Sequence, residues 1–159
     1  MFDWLIRRAK RTPYYHLDSY MDRWWLIPYR SDIGHGTGPV PFRRRPIAWL
    51  IQRCGISIRV HEILRSDEGR DPHDHPWPYL TIILRGYYLE RRYNDAGQCT
   101  SIEIHGPGSI LWRPAGSWHR LELAYPVTTL FITGSKSQTW GFNVDGKKVP
   151  HREYLGAKQ

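Results

Sequence analysis

Most of this chain is a succession of short runs of alternating apolar and polar residues, separated by turn-forming residues. The N-terminus differs. Phe2, Leu5, Ile6 and Ala9 share one helical face, with Arg7, Arg8, Lys10 and Arg11 largely off it, the spacing of a short amphipathic helix. Tyr20 to Ile27, with Trp24 and Trp25, reads as an aromatic-rich β-type run. Residues 31–46 hold Gly34, Gly36, Gly38, Pro39, Pro41 and Pro46 and read as a loop. From Ile47 onward the pattern predicts strands at Ala48–Gln52, Ser57–Leu64, Tyr79–Leu84, Tyr87–Tyr93, Ser101–His105, Ser109–Trp112, His119–Leu123 and Thr128–Thr133. Turn signals divide them at Asp67 to Gly69, Arg85-Gly86, Asn94 to Gly97, Gly106 to Gly108 and Ala115-Gly116. Short strands so spaced predict an all-β sandwich or barrel. No internal repeat and no dinucleotide-binding or P-loop glycine pattern stands in the chain.

Composition adds bounds. The 159 residues, 40% hydrophobic with eight Trp, suffice for one packed core. The expected division is an N-terminal extension over 1–46 and a β-barrel domain over 47–155. Cys54 and Cys99 make no disulfide framework, so a reducing, cytoplasmic setting is expected. Net charge is +8, carried by 18 Arg against 5 Lys. Arginine's planar fork suits carboxylates and phosphates, so the excess fits an anionic ligand, a nucleic acid or simply a soluble basic surface; a small anionic molecule is the expected partner. The runs Arg7 to Arg11 and Arg43-Arg44-Arg45 are read as solvated surface, because no recognition helix or RNA-binding motif accompanies them; a nucleic-acid partner is not expected. No signal peptide is read at the N-terminus, and no stretch approaches the ~18 apolar residues of a membrane span. The N-terminal helix is expected to dock on its own domain or on a partner subunit. A homodimer, with edges paired through the Trp-rich N-terminal segment, is one such arrangement.

The chemistry concentrates in histidines. His73 and His75 leave the same face of an extended segment, roughly 6.6–7 Å apart at ~3.3 Å rise per residue, and can chelate one cation. His119 follows 44 residues later, and only a closed or stacked β-fold would return it to the pair. Asp71 alternates with the two histidines, so it either adds a carboxylate ligand or caps the preceding turn. Asp74 falls on the opposite face and is read as solvated or turn-bonding. His61 is a pocket residue or a satisfied strand histidine, and His105 a turn residue. His16, His35 and His151 are read as surface.

The segment His73-x-His75-x3-Tyr79-x6-Gly86 resembles the first cupin motif, and Gly108-x5-Pro114-x-Gly116-x2-His119 resembles the second up to its histidine. The likeness covers roughly residues 55–135. More loosely, the chain is similar to short cupin proteins of bacteria and their phages. The resemblance implies a cupin-like jelly-roll β-barrel carrying a metal at His73, His75 and His119, with Gly86, Gly108, Pro114 and Gly116 as turn residues. Two positions depart: Tyr79 replaces the glutamate ligand, and Leu123 replaces the asparagine that closes the second motif.

Three neutral imidazoles would leave the metal's charge uncompensated and favour anionic substrates. Such a site resembles those of thiol-, ring- and diketone-cleaving dioxygenases, which implies iron(II), with zinc, nickel or manganese as alternatives. Tyr79 and His61 are the catalytic candidates; Tyr79 donates to a bound anion or is a rim aromatic. Trp77, Thr81, Glu90, Arg92 and Arg113 are the substrate-pocket candidates, Arg113 being preferred over Trp112 as the inward residue. The expected function is an iron-dependent dioxygenase. The alternatives are a non-redox isomerase, epimerase or lyase, and a cupin that binds a small ligand without turnover.

Overall fold

Residues 2–12, 16–17, 19–27, 45–67 and 69–157 are described by a computed structural model of the protein. Along these residues the elements are α1 (Asp3–Ala9), β1 (Met21–Trp25), α2 (Arg45–Arg53), β2 (Ser57–Ile63), β3 (Tyr79–Arg85), β4 (Tyr88–Tyr93), β5 (Cys99–His105), β6 (Ile110–Arg113), β7 (Trp118–Glu122), β8 (Val127–Thr133), β9 (Gly141–Val144), β10 (Lys147–Pro150) and α3 (His151–Ala157).

One antiparallel sheet has the order β1-β2-β8-β3-β6, and a second has β5-β4-β7. The β9–β10 hairpin joins the second sheet through the segment around His73, which forms bridges to both His119 of β7 and Phe142 of β9. Strand β8 lies between β2 and β3 although it comes last of the three. That long-range insertion is jelly-roll topology, and the all-β barrel implied by the two motifs is the observed architecture.

Two apolar clusters hold it. Ile63, Ile83, Tyr88, Leu121 and Val127 pack together between the sheets. Ile6 and Ala9 of α1 pack with Trp24, Val60, Leu84 and Leu130 in the other. Strand β8 is therefore buried along both faces, and its polar positions, Thr128, Thr129 and Thr133, are buried with the rest. The N-terminal helix docks on its own domain. The ion pairs Asp3–Arg85 and Lys10 Nζ–Glu62 (3.1 Å) flank it. Exposed pairs contribute at most about 1 kcal/mol, so the apolar face decides the docking. Arg7, Lys10 and Arg11 stay exposed.

Three expectations change. The strand expected at Ala48–Gln52 lies within helix α2, because so short an apolar run carries no period that separates strand from helix. Its C-terminus has a signal in Gly55, whose φ of +66° ends the helix while the Ile56 amide donates to the Ile51 carbonyl at 3.0 Å. Pro46, placed in the loop by sequence, opens α2, where its missing N–H costs nothing. The rest of that loop, His35, Arg43 and Arg44 lie outside the described residues, as does the side chain of Arg45. The hairpin β9–β10 and helix α3 were not anticipated. Asp145-Gly146, with φ of +49° and +77°, is the two-residue hairpin turn that joins β9 to β10.

Candidate metal centre

The convergence of His119 with the distant pair is a backbone event. The amide of His73 donates to the carbonyl of His119 and the amide of His119 to that of His73, both at 3.0 Å. This exchange places the two residues directly opposite each other in an antiparallel ladder, with side chains on the same face. Their ring centroids are 4.6 Å apart. His75, two residues on, returns to that face, and its carbonyl accepts from the Gly116 amide at 3.1 Å. Gly116 has φ of +81°, a turn conformation that a side chain resists. Each of the three histidines offers a ring nitrogen, and the three nitrogens lie within 4.8 Å of one another. Nε2 of His119 and Nε2 of His75 are 3.2 Å apart, which matches the separation of two donors sharing one ion at bonds of about 2.0–2.1 Å.

Two buried carboxylates stand behind this cluster: Glu90, expected as a pocket residue, and Asp67, expected in a turn. Glu90 on β4, 2% exposed, sits diagonally from His119 and lies 3.0 Å from its Nδ1. The carboxylate accepts from Nδ1–H, which leaves the Nε2 lone pair facing the cluster. Glu90 also receives the Arg113 guanidinium, with Nε at 3.3 Å, and lies 3.3 Å from His105 Nε2. His105 is thus a buried partner at the end of β5 rather than a turn residue. Asp67, 1% exposed, accepts from Tyr20 Oη at 2.5 Å and from the Leu121 amide at 2.9 Å, and stands 3.7 Å from His73 Nδ1. Period-2 parity put Glu90 on one face of β4 without saying which. Asp67 looked like a turn residue.

The remaining acids face elsewhere. Asp71 accepts from Tyr154 Oη of α3 at 2.8 Å and is outside the histidine cluster. Asp74 does point away from the histidines, but it is fully buried rather than solvated. It accepts from the Gly141 amide (2.8 Å), Gln138 Nε2 (3.0 Å) and Lys148 Nζ, and so ties the histidine segment to the β9–β10 hairpin. His16 and His151 lie against Trp24 and Trp140 respectively, away from the cluster.

Burial sets the electrostatics. It lowers His73 to about 4, against the opposing pull of Asp67. It lowers His75 well below the usual imidazole range, with help from His119 and His73. Both rings are therefore neutral at pH 7, the form that binds metal. Burial alone would raise Glu90, but hydrogen bonds from His119 and Arg113 outweigh it and hold the carboxyl at about 2. Tyr79 is raised well above 10.0 by burial and then by Glu90. Its phenol stays protonated, with Oη 3.5 Å from His119 Nε2.

A cavity of about 560 Å³ opens onto the cluster. His61, Trp77, Tyr79, Thr81, Glu90 and Arg113 all line it, together with the three histidines. Trp112 turns outward, 61% exposed. Arg92, expected in the pocket, is not among its lining residues. It pairs with His119 in the ladder yet stays partly exposed, since the barrel mouth leaves a long charged side chain a route to water. Tyr20 and Met21 of the N-terminal extension and Phe142 of β9 also line the cavity. They come from segments that the motifs do not reach.

His61 stacks on Phe131 at 4.8 Å and is held well below 6.5 by burial, then by Arg59 and Arg23. A group whose folded pKa is depressed takes up more protons unfolded, so its contribution to stability is present above about 6.5 and is lost as pH falls below it. Urea midpoints of chelator-treated protein should therefore decline from pH 7 to pH 5, and His61→Gln should flatten that decline. An equal slope in both proteins would refute a neutral, buried His61.

No family model matches the chain, and no curated protein matches it. Solved structures do. The formate complex of oxalate decarboxylase from Lactobacillus farciminis aligns with 93% of this chain and 36% of its own, at 14% identity and a TM-score of 0.55. A tryptophan-to-tyrosine variant of the Bacillus subtilis oxalate decarboxylase aligns with 93% and 32%, also at 14% and 0.55. A cupin superfamily protein of Desulfitobacterium hafniense aligns with 51% and 68%, at 17% and 0.41. The chain thus spans about a third of the length of the oxalate decarboxylases it matches. The likeness to the two oxalate decarboxylases shows the fold alone: the chain has a cupin-type jelly-roll β-barrel fold. No helix among the described residues is long and apolar enough to cross a membrane.

Proposed function

We propose that His73, His75 and His119 hold a divalent metal ion and that the protein is a metal-dependent enzyme acting on a small anionic molecule, as an iron(II)-dependent dioxygenase. The observation that carries this reading is the pair of facing Nε2 atoms 3.2 Å apart, with Glu90 fixing the tautomer of one of them from behind. The donor set suits the ion: neutral imidazoles outside, carboxylates one bond further back, and no carboxylate at position 79. Iron(II), when bound there, would supply the electron transfer between oxygen and substrate. The chain does the rest. His119 is held in one tautomer by Glu90, and Arg113 keeps that carboxylate in place. Tyr79 presents a protonated phenol beside the cluster and can donate to a developing anion. Trp77, Phe131 and Phe142 limit the water around it.

A second reading has one observation behind it. His61, neutral and lining the same cavity, is placed to accept a proton in a non-redox isomerase or lyase reaction. Protein reconstituted separately with iron(II), manganese(II), nickel(II) and zinc(II) decides between them. The dioxygenase reading expects one bound ion per chain and oxygen consumption with iron(II) alone in the presence of a small organic acid. Turnover with zinc or manganese under anaerobic conditions would move the assignment to the second reading. Absence of bound metal under all four conditions would remove both. Bound metal and ligand without turnover would make the barrel a binding module.

A further inference from the structure

The barrel keeps one seam open. Strand β5 ends the second sheet and β6 ends the first. They are joined by the turn in which the Ser109 amide donates to the Gly106 carbonyl at 2.9 Å. Among the described residues, both strands flanking that turn therefore have a free edge. Their inward positions belong to the site: His105 of β5 and Arg113 of β6 both reach Glu90. Their outward positions are large and apolar. Ile102 and Ile104 on β5 are 52% and 74% exposed, and Ile110 and Trp112 on β6 are 65% and 61%. Tyr87, also exposed, lies on the turn, since a Cβ at Gly106 would come within 2.2 Å of its Cε1. On β4, Leu89 stands opposite Ile104 and Arg91 opposite Ile102, and Glu122 answers the Arg91 charge with Nε at 2.6 Å. Scattered apolar residues are ordinary on a surface, but a grouped set marks a place of contact. Edge strands are usually guarded by lysine, proline or inward charges. The only acid on β5 is Glu103, whose carboxylate lies 3.6 Å from His105. From Tyr93 to Trp112 there is no Lys or Arg, against 23 in the whole chain.

We propose that this seam is the self-association surface of the protein. Strand β5 pairs antiparallel with β5 of a second copy about a two-fold axis, and Ile102, Ile104, Ile110 and Trp112 pack on the apolar side chains of that copy. Charge selects the occupant. At a net +8, two copies repel over most of their surfaces, and this stretch is where they approach without bringing cation to cation. A nucleic acid or an anionic lipid surface would be drawn to the arginines elsewhere on the chain and away from this strip. The strand edge is complementary to itself, because a two-fold axis beside it satisfies the donors and acceptors of both strands at once. The contact lies at the other end of the five-stranded sheet from β1, so it is not the Trp-rich N-terminal pairing that the sequence suggested. It does not depend on the metal reading.

The test is sedimentation velocity on the full chain over a concentration series, metal-free and zinc-loaded. The parent should sediment as two chains in both forms and dissociate on dilution. Ile104→Glu and Trp112→Glu should each weaken self-association about a hundredfold or more, the effect of charging a central interface residue. Both side chains are exposed in the single chain, so the urea midpoint at a concentration where the parent is dissociated should not move. Trp4→Glu on α1 and Ile47→Glu on α2, at positions 70% and 54% exposed, should leave the dimer intact. Amide hydrogen exchange reads the pairing itself: the β5 amides that do not bond to β4 should gain protection as concentration rises. A parent that stays a single chain throughout overturns the proposal. So does a dimer that survives Ile104→Glu and Trp112→Glu, or one that Trp4→Glu or Ile47→Glu dissociates instead. A dimer lost in Ile104→Glu whose free β5 amides exchange as fast as in the single chain overturns the strand pairing.

Discussion

His119→Ala is expected to reduce bound divalent metal from one ion per chain to background and to abolish metal-dependent turnover, without unfolding the barrel. The fold should survive because the contacts that place residue 119 opposite His73 are made by the two main chains, which alanine keeps. What alanine removes is the one ring nitrogen that both faces His75 Nε2 at 3.2 Å and is aimed by Glu90. Loss of a direct donor from a three-donor set should exceed the roughly 10–100-fold loss of affinity typical of partners one bond further out. His73→Ala should behave alike. His16→Ala, whose ring lies against Trp24 and whose side chain is 39% exposed, serves as the control and should leave metal content unchanged. Metal analysis after dialysis, with circular dichroism on the same samples, reads both effects. Full metal occupancy in folded His119→Ala would end the assignment of the cluster as a metal site.

Glu90→Ala should be the most damaging single change outside the three histidines, and for two separable reasons. It leaves the inward Arg113 guanidinium, 12% exposed along its side chain, without its counter-charge. Breaking a buried ion pair from one side costs about 3–5 kcal/mol, so the urea midpoint should fall sharply. It also frees His119 to take the other tautomer, and metal affinity should drop roughly 10–100-fold. Glu90→Ala combined with Arg113→Met separates the two. Removing both charges should restore much of the stability, since the stranded cation is gone, while metal affinity stays low because nothing orients His119. A double variant that regains metal affinity along with stability would show that Glu90 supports the barrel and not the imidazole. Undiminished metal binding in folded Glu90→Ala would dispose of the orienting role outright.

The contrast between Glu90 and the histidines explains what was legible in the chain. The histidines stand in motifs whose glycines and proline have a local backbone meaning. Gly86, Gly108 and Gly116 have φ of +80°, +91° and +81°, conformations that glycine adopts freely. At Gly86 a Cβ would also come within 2.9 Å of the Pro126 carbonyl oxygen. Such constraints act over a few residues and are written in the order of those residues. Alternation of apolar and polar positions is equally local, and seven of the eight expected strands appear within a residue or two of their expected ends. The eighth, Ala48–Gln52, failed for a local reason too: its short apolar run is too brief to carry a period.

Glu90, Asp67 and Arg59 carry no such marker. In sequence Glu90 is one charge among Arg91 and Arg92, and Asp67 begins a turn. Arg59 alternates with apolar residues on a strand. Each is buried and polar, which sequence statistics disfavour, and each is sustained by partners 23 to 72 residues away: Arg113 and His119 for Glu90, Tyr20 and Leu121 for Asp67, Phe131 for Arg59. The amino-acid sequence by itself determined the β-barrel, its turns and the histidines that can meet, because periodicity and glycine conformation are properties of neighbouring residues. Only the tertiary structure decided which charges turn inward, which carboxylate aims which imidazole, and that an arginine on β2 faces the cavity. Burying a charge is unfavourable until the fold delivers its partner, and that delivery depends on sheet closure rather than on any short stretch of chain.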